Sequence, residues 1–215
     1  MKKEDETPPK RGRPRDPERM RRVLDAAHQQ FVALGFDHTS LDAIAKDSGV
    51  SKVTIYSYFP SKEALFEATV ASRTDGVFEA TRAVALDPAH PKAALMRVGG
   101  EFLKLMRDDD VIGVHRMLYA SAVHQPAAGQ GFYQQGPHRL ITELAQYLRI
   151  AHQAGTLRVD KPDLAADQFL SLFLGGGHIR ALLGLGKPSA RSDAELLQEN
   201  VKLFLSRYAV PNHGQ

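Results

Sequence analysis

The sequence of 215 residues has no cysteine and no tryptophan. The first absence excludes disulfide scaffolds, thiolate zinc sites and cysteine nucleophiles. Long hydrophobic runs are missing too: stretches such as residues 169–174 fall far short of the roughly 18 residues a membrane span requires. The N-terminal segment is rich in Lys, Glu and Asp and lacks the apolar core of a signal peptide. These absences predict a soluble, cytoplasmic protein with no membrane partner. Metal-ligand spacing is lacking as well. Of nine histidines, His115 and His124 stand nine apart and no pair stands three or four apart, so neither metal nor cofactor is expected. No nucleophile–base spacing and no phosphate-cradling glycine loop is present. Gly175-Gly176-Gly177 lies inside a hydrophobic helical pattern rather than after a strand. Nothing here points to an enzyme.

What is present begins with the placement of charge. The formal net charge is +3, from 28 Lys and Arg against 25 Asp and Glu. Residues 1–62 hold 12 basic and 9 acidic residues, and the remainder holds 16 of each. The whole excess therefore sits in the first third, with seven basic residues between Lys10 and Arg22. A basic arm on a neutral body suits a polyanionic partner; a solvated tail would carry the same charge.

The chain reads as all-α, with about nine helices. Residues 1–15 contain three prolines and no apolar residue beyond Met1, which predicts a disordered arm. Order begins at Asp16-Pro17, an N-cap followed by proline at the first helical position. Met20, Val23, Leu24, Ala27, Phe31 and Leu34 recur at helical spacing until Gly35. Two short helices follow, capped by Thr39 or Ser40 and by Ser51, the second stopped by Pro60. Ser61 opens a fourth helix expected to reach about Leu86. Further stripes run through Leu95–Met106, Val111–Val123, Leu140–Ala151, Asp163–Leu183 and Asp193–Tyr208. The expected organisation is a basic arm (1–15), a helix-turn-helix domain (16–70) and a larger helical domain (71–215).

The segment from Leu41 to Phe59 carries the most specific signal. It is a helix, a glycine-containing turn and a second helix, the pattern of a helix-turn-helix. Ala45 is small where two helices cross, Gly49 can turn left-handed, and Val50 and Ile55 pin the second helix on the first. Lys52, Val53, Thr54, Tyr56, Ser57 and Tyr58 are left on or near the outer surface. Exposed tyrosines beside hydroxyls and a lysine suit a DNA groove and its phosphates better than plain solvent.

These residues, with Ala26-Ala27, Phe31, Gly35-Phe36, Thr39 and the run Tyr56-Ser57-Tyr58-Phe59-Pro60-Ser61-Lys62-Glu63-Ala64-Leu65, resemble the TetR/AcrR family of bacterial one-component regulators. The resemblance covers about 45 residues and the family's signature. It implies a homodimer on a pseudo-palindromic, double-stranded DNA operator, each recognition helix in a major groove. By position it makes Lys52, Val53, Thr54 and Ser57 base-edge or nearby contacts. Thr39, Ser40, Tyr56, Tyr58 and Lys62 become phosphate contacts, and the capping Ser51 joins the DNA-binding set. Val53 departs from the family, which often has Gly or Ala there; a valine could pack on a thymine methyl. In the arm, Arg11-Gly12-Arg13-Pro14-Arg15 resembles an AT-hook. Arg11 and Arg13 would either enter an A·T-rich minor groove or add non-specific affinity.

Parts of the remainder resemble an AefR-like C-terminal domain: Phe132-Tyr133-Gln134-Gln135-Gly136-Pro137, Gly155-Thr156-Leu157 and Ala165-Ala166-Asp167-Gln168-Phe169. The TetR-like architecture implies that the last two long helices pair with those of a second chain. Phe169, Leu172, Ile179, Leu182, Leu197, Val201 and Phe204 are the candidate dimer interface, although the same stripes could be internal core. A small-molecule effector would lie among the middle helices. Phe102, Met106, His115, Met117, Leu118, Tyr119, Phe132, Tyr133 and Phe173 are the candidate lining of a mainly apolar pocket, with simple core packing the competing reading of each.

The function expected is a ligand-responsive transcriptional repressor released from a palindromic operator by a small, largely apolar effector. The alternatives are an effector-independent, architectural DNA-binding protein, and a helical carrier or enzyme.

Overall fold

The computed structural model describes residues 16–81, 86–121 and 126–210. Helix α1 (Pro17–His38) starts where proline and aspartate predict: the Asp16 carboxylate accepts from the amide of Glu18 at 3.1 Å. It is interrupted at Gly35, where φ is 79°, and one further turn carries Phe36 inward. Phe36 stacks on Phe31 at 5.7 Å, and both meet the edge of Phe66, at 5.5 and 5.1 Å. Helices α2 (Leu41–Ser48), α3 (Lys52–Tyr58) and α4 (Lys62–Thr81) follow. Their inward residues Leu41, Ile44, Val50, Ile55, Phe59, Leu65 and Val70 close one core with α1.

Helix α5 (Pro91–Arg107) is followed by α6 (Asp109–Ser121). The link is Asp108, whose carboxylate accepts from the amides of Asp110 and Val111 at 3.0 and 3.2 Å. Part of the acidic trio is thus a helix cap. Helix α7 (Pro126–Tyr133) passes through a π-helical stretch, Gln134–His138, into α8 (Arg139–Gln153). The sequence pattern begins this rod only at Leu140, because Pro137 and the small residues before it carry no apolar stripe. The wider π turn lets the chain stay helical around a proline that has no N–H to give.

The helix expected over 163–183 is divided into α9 (Pro162–Ser171) and α10 (Gly176–Leu182). Gly175 is extended there, with φ −73° and ψ −158°. Helix α11 (Ala190–Tyr208) starts at the Ser189 cap, and Arg158 donates its amide to the Tyr208 carbonyl at 2.7 Å to close the far end. With α7 and α8 one rod, the described residues hold ten helices against about nine expected, and no strand beyond a Leu157–Ala209 bridge. The all-α class stands.

A second core forms from α5, α8, α9 and α11, around Leu95, Val98, Leu144, Tyr147, Phe169, Phe173 and Phe204. Helix α6 lies between the two cores and gives Val114, Met117 and Leu118 to the first. At Gly113 it touches α1: a Cβ there would stand 2.8 Å from the Val32 Cγ1. Arg107 is joined to Asp193 by three hydrogen bonds of 2.9–3.2 Å, a largely buried pair tying α5 to α11. No helix of the described residues is long and apolar enough to cross a membrane.

Candidate functional site

The helix-turn-helix is shaped by its caps. Ser40 accepts from the Ala43 amide at 3.1 Å and opens α2. Gly49, at φ 66°, ends it in a left-handed conformation that glycine takes without strain. Ser51 then accepts from the Thr54 amide at 3.3 Å and shares a 2.8 Å hydrogen bond with the Thr54 hydroxyl. Ile55 is fully buried and fixes α3 on the first core, so the opposite face turns out. On that face Val53 is 81% exposed and Tyr56 46% exposed, beside exposed Lys52 and Ser57. The Lys52 ammonium reaches the Asp42 carboxylate at 2.8 Å, and this hydrogen bond holds the lysine pKa above its usual value.

Three expected contacts are placed otherwise. Thr39 is buried, with its hydroxyl donating to the Gly35 carbonyl at 2.7 Å and the Gln30 carbonyl at 3.0 Å. Lys62 lays its ammonium on the carbonyls of Phe36, Asp37 and Thr39, at 2.7, 3.4 and 3.2 Å, and over the Phe36 ring at 4.4 Å. Tyr58 is half-buried against Phe59, ring to ring at 6.3 Å. The cause is the corner after Gly35. The end of α1 leaves carbonyls in need of donors, and Thr39 and Lys62 supply them. Arg11 and Arg13 lie outside the described residues.

A cavity of about 150 Å³ lies between the two cores. Of the residues named from the sequence, Phe102, Met106, His115, Tyr119 and Phe132 line it. Met117 and Leu118 do not, because that face of α6 packs into the first core. Phe173 is sealed between Phe102 at 6.1 Å and Phe169 at 5.3 Å, and Tyr133 stands on the outside at 49% exposure. Sequence reasoning missed the walls given by α1 and α4 (Phe31, Phe66, Thr69, Val70), by α8 (Leu140, Ile141) and by α10 (His178). Phe66, Thr69 and Val70 share a face at helical spacing, which marks them as inward without saying what they face.

The cavity's buried polar groups are three imidazoles and the Thr69 hydroxyl, which donates to the Leu65 carbonyl at 2.8 Å. The His115 and His178 rings meet edge to face at 5.5 Å. Burial, and then the neighbouring His178, push the His115 pKa down to about 4. Burial lowers His178 as well. Buried His28, from α1, stands 3.2 Å from the Asp110 carboxylate of α6. Asp167 and Ser171 form an exposed edge. No group of three potential metal ligands occurs among the described residues.

Of the candidate dimer residues, Phe169, Val201 and Phe204 are buried within this chain's second core, where Phe169 meets Phe204 at 5.1 Å. For these the internal reading of the stripe holds. Leu172, Leu182 and Leu197 are partly buried and Ile179 is exposed. Large apolar residues open to solvent beside them, which the sequence reading passed over, are Leu164, Leu183 and Leu203.

Comparison with known proteins agrees over both halves. Residues 23–69 match the family described as "Bacterial regulatory proteins, tetR family", and residues 93–210, more than half of the chain, match "AefR-like transcriptional repressor, C-terminal domain". The regulator EthR of Mycolicibacterium smegmatis is 35% identical over 40% of each chain, and RutR of Escherichia coli is 45% identical over 25% of each. The alignments thus span well under half the length of these curated relatives. Among solved structures, the flavonoid-responsive regulator FrrA is 33% identical, with a TM-score of 0.71 over 92% of this chain and all of that one. A TetR regulator from Agrobacterium tumefaciens, 20% identical, shares the fold with a TM-score of 0.75 over 92% of this chain and 97% of its own. The chain belongs to the TetR family of bacterial regulatory proteins, with an AefR-like C-terminal domain.

Proposed function

We propose that the protein is a ligand-responsive, DNA-binding transcriptional regulator. It acts as a homodimeric repressor that leaves a palindromic operator when a small, largely apolar effector enters the cavity. The observation that carries the reading is the outward face of α3, where a valine and a tyrosine stand open to solvent on a capped helix. The valine and tyrosine share one exposed face with polar neighbours, and Lys52, Val53, Thr54, Tyr56 and Ser57 offer the hydrogen-bonding and methyl-contact groups a major groove needs. Ser40 and Ser51, at helix starts, suit the flanking phosphates. The basic arm adds affinity, so residues 1–70 handle DNA and 71–215 handle effector and dimerisation. Leu164, Leu183 and Leu203 join Ile179 in the candidate interface with a second copy.

The coupling follows from the cavity's walls. Phe31, Phe66, Thr69 and Val70 belong to the helices that carry the reader. An occupant that fits better with α4 tilted from α1 shifts the population toward a dimer whose recognition helices no longer match adjacent grooves.

The test is binding to a DNA fragment from its own promoter region. Affinity should fall steeply with salt. Tyr56→Ala should weaken binding, by at least about 1 kcal/mol if the ring contacts the groove, with the oligomeric state unchanged. Unaltered affinity would remove α3 as the reader.

A further inference from the structure

Resting on the effector reading above, we propose that the cavity takes a neutral phenol, its hydroxyl held between His115 and His178 and its ring packed among Phe31, Phe66, Phe102 and Phe132. His115 is 7% exposed and His178 4% exposed. Within the protein, Nδ1 of His115 and both ring nitrogens of His178 meet no partner at hydrogen-bond geometry, although the Met106 carbonyl lies beside His178. Buried polar atoms are ordinarily satisfied, so two such rings on one cavity wall mark a place for a polar group from outside. Burial holds both imidazoles neutral. A neutral imidazole accepts at one nitrogen and donates at the other. Two of them edge to face at 5.5 Å can take a hydroxyl's proton in one hydrogen bond and donate to its oxygen in another.

The other ligand classes fit less well. A carboxylate can only accept, and among the described residues no lysine or arginine lines the cavity. A cation would need a buried counter-charge, whereas the lining carboxylate, Asp167, stands in solvent at the edge. A hydrocarbon would leave the imidazoles unsatisfied. The ring is set by size and by the walls. About 150 Å³ is the volume of a cavity that admits one benzene ring. Phe132 presents itself edge to face to His115 at 5.4 Å, a geometry that an aromatic guest extends.

Four probes of nearly one shape test this on the full chain by calorimetry: p-cresol, p-xylene, p-toluate and 4-methylbenzylammonium. We expect p-cresol to bind about tenfold more tightly than p-xylene, the worth of one to two net hydrogen bonds, and both ions to bind more weakly still. His115→Phe should abolish the preference for p-cresol over p-xylene. In the unaltered protein, p-cresol should shift the ring ¹⁵N resonances of His115 and His178 in NMR spectra while the six histidines that do not line the cavity stay fixed, a readout independent of how the variant folds. Equal affinity for p-cresol and p-xylene, tighter binding of either ion, or no binding of any probe overturns the proposal. DNA release is read separately. If p-cresol binds as expected and the operator complex is unmoved, the ligand class stands and the cavity's regulatory role falls.

Discussion

Lys62→Met separates two roles that one lysine at the start of α4 could have. As a phosphate contact, Lys62 contributes to DNA affinity and little to stability. In the structure its ammonium donates to the carbonyls of Phe36, Asp37 and Thr39, the shortest at 2.7 Å, with the Phe36 ring 4.4 Å away. It thus fastens α4 to the corner between α1 and α2. Methionine keeps the stem and removes the charge. Hydrogen bonds from a charged group are worth about 1.5–3 kcal/mol, and the ring contact about 0.5–1 kcal/mol at a partly exposed site. Some of this returns as water reaches the carbonyls, so a net loss of about 2 kcal/mol is expected. For a chain of this length that lowers Tm by roughly 4–8 °C. The measurement is a thermal melt beside a salt titration of operator binding. The latch predicts a lower Tm and an unchanged slope of log affinity against log salt. A slope reduced by about one phosphate contact, with Tm unmoved, would refute the latch and restore the phosphate role.

Acid should destabilise the fold through the cavity histidines. His115 binds a proton near 6.5 when unfolded but only near 4 when folded, so the unfolded state binds more protons between those values and stability falls as pH drops from about 6.5 to 4. The shift is worth about 3 kcal/mol. His178 adds to the fall in the same direction, and His115→Phe should flatten a plot of stability against pH over that window. The other titratable groups lining the cavity, His28, Asp167 and Tyr119, and the Arg107 guanidinium that acts on His178, are unchanged in the variant and cancel in the comparison. Gly113→Ala places a methyl 2.8 Å from Val32 and should cost about 1–3 kcal/mol by overpacking, with Val32→Ala restoring most of it; full stability of the single variant would show that α1 and α6 slide freely. Asp193→Ala strands the largely buried Arg107 and should cost about 3–5 kcal/mol in chemical denaturation, whereas replacing both with apolar residues should cost much less.

Much of the helix-turn-helix was legible because its determinants are local. A cap such as Ser40 or Ser51, a left-handed glycine at 49 and a pin such as Ile55 act within a few residues of themselves, so spacing alone states their roles. The partners of Thr39 and Lys62 within the chain were not legible, for the opposite reason. Their partners come from the end of α1, 23 to 26 residues before Lys62 in the case of its three carbonyls, and a polar residue at a helix start looks the same whether it faces a phosphate or a stranded carbonyl. The cavity was half legible. Phe102, Met106 and His115 announce an apolar face with a polar tip, but Phe66 and Val70 lie on a helix whose inward face the sequence reading left unassigned. Nothing in a helical period tells how many elements one face serves. The break between α9 and α10 shows the same limit: the glycines mark where a helix can part, and packing decides whether it does.

That double use of Phe66 bears on what a small effector could achieve. Moving a two-state protein from mostly bound to mostly released, from about 1:99 to 99:1, takes roughly 5.5 kcal/mol of differential affinity. Burying one phenyl-sized ring contributes about 1.5–3 kcal/mol, and two net hydrogen bonds add about 1 kcal/mol each. A single site therefore offers at most roughly 5 kcal/mol, and only the part that differs between conformers acts as a switch. A cavity of about 150 Å³ leaves little room for a larger ligand without the walls parting. Those walls are Phe31 and Phe66, whose contact with each other and with Phe36 holds the reader's core together. Two copies that change together double the available energy. The proposed homodimer would thus serve the switch as well as the reading of a two-fold operator: two rings in a coupled pair bring twice the differential energy that one ring in one cavity supplies.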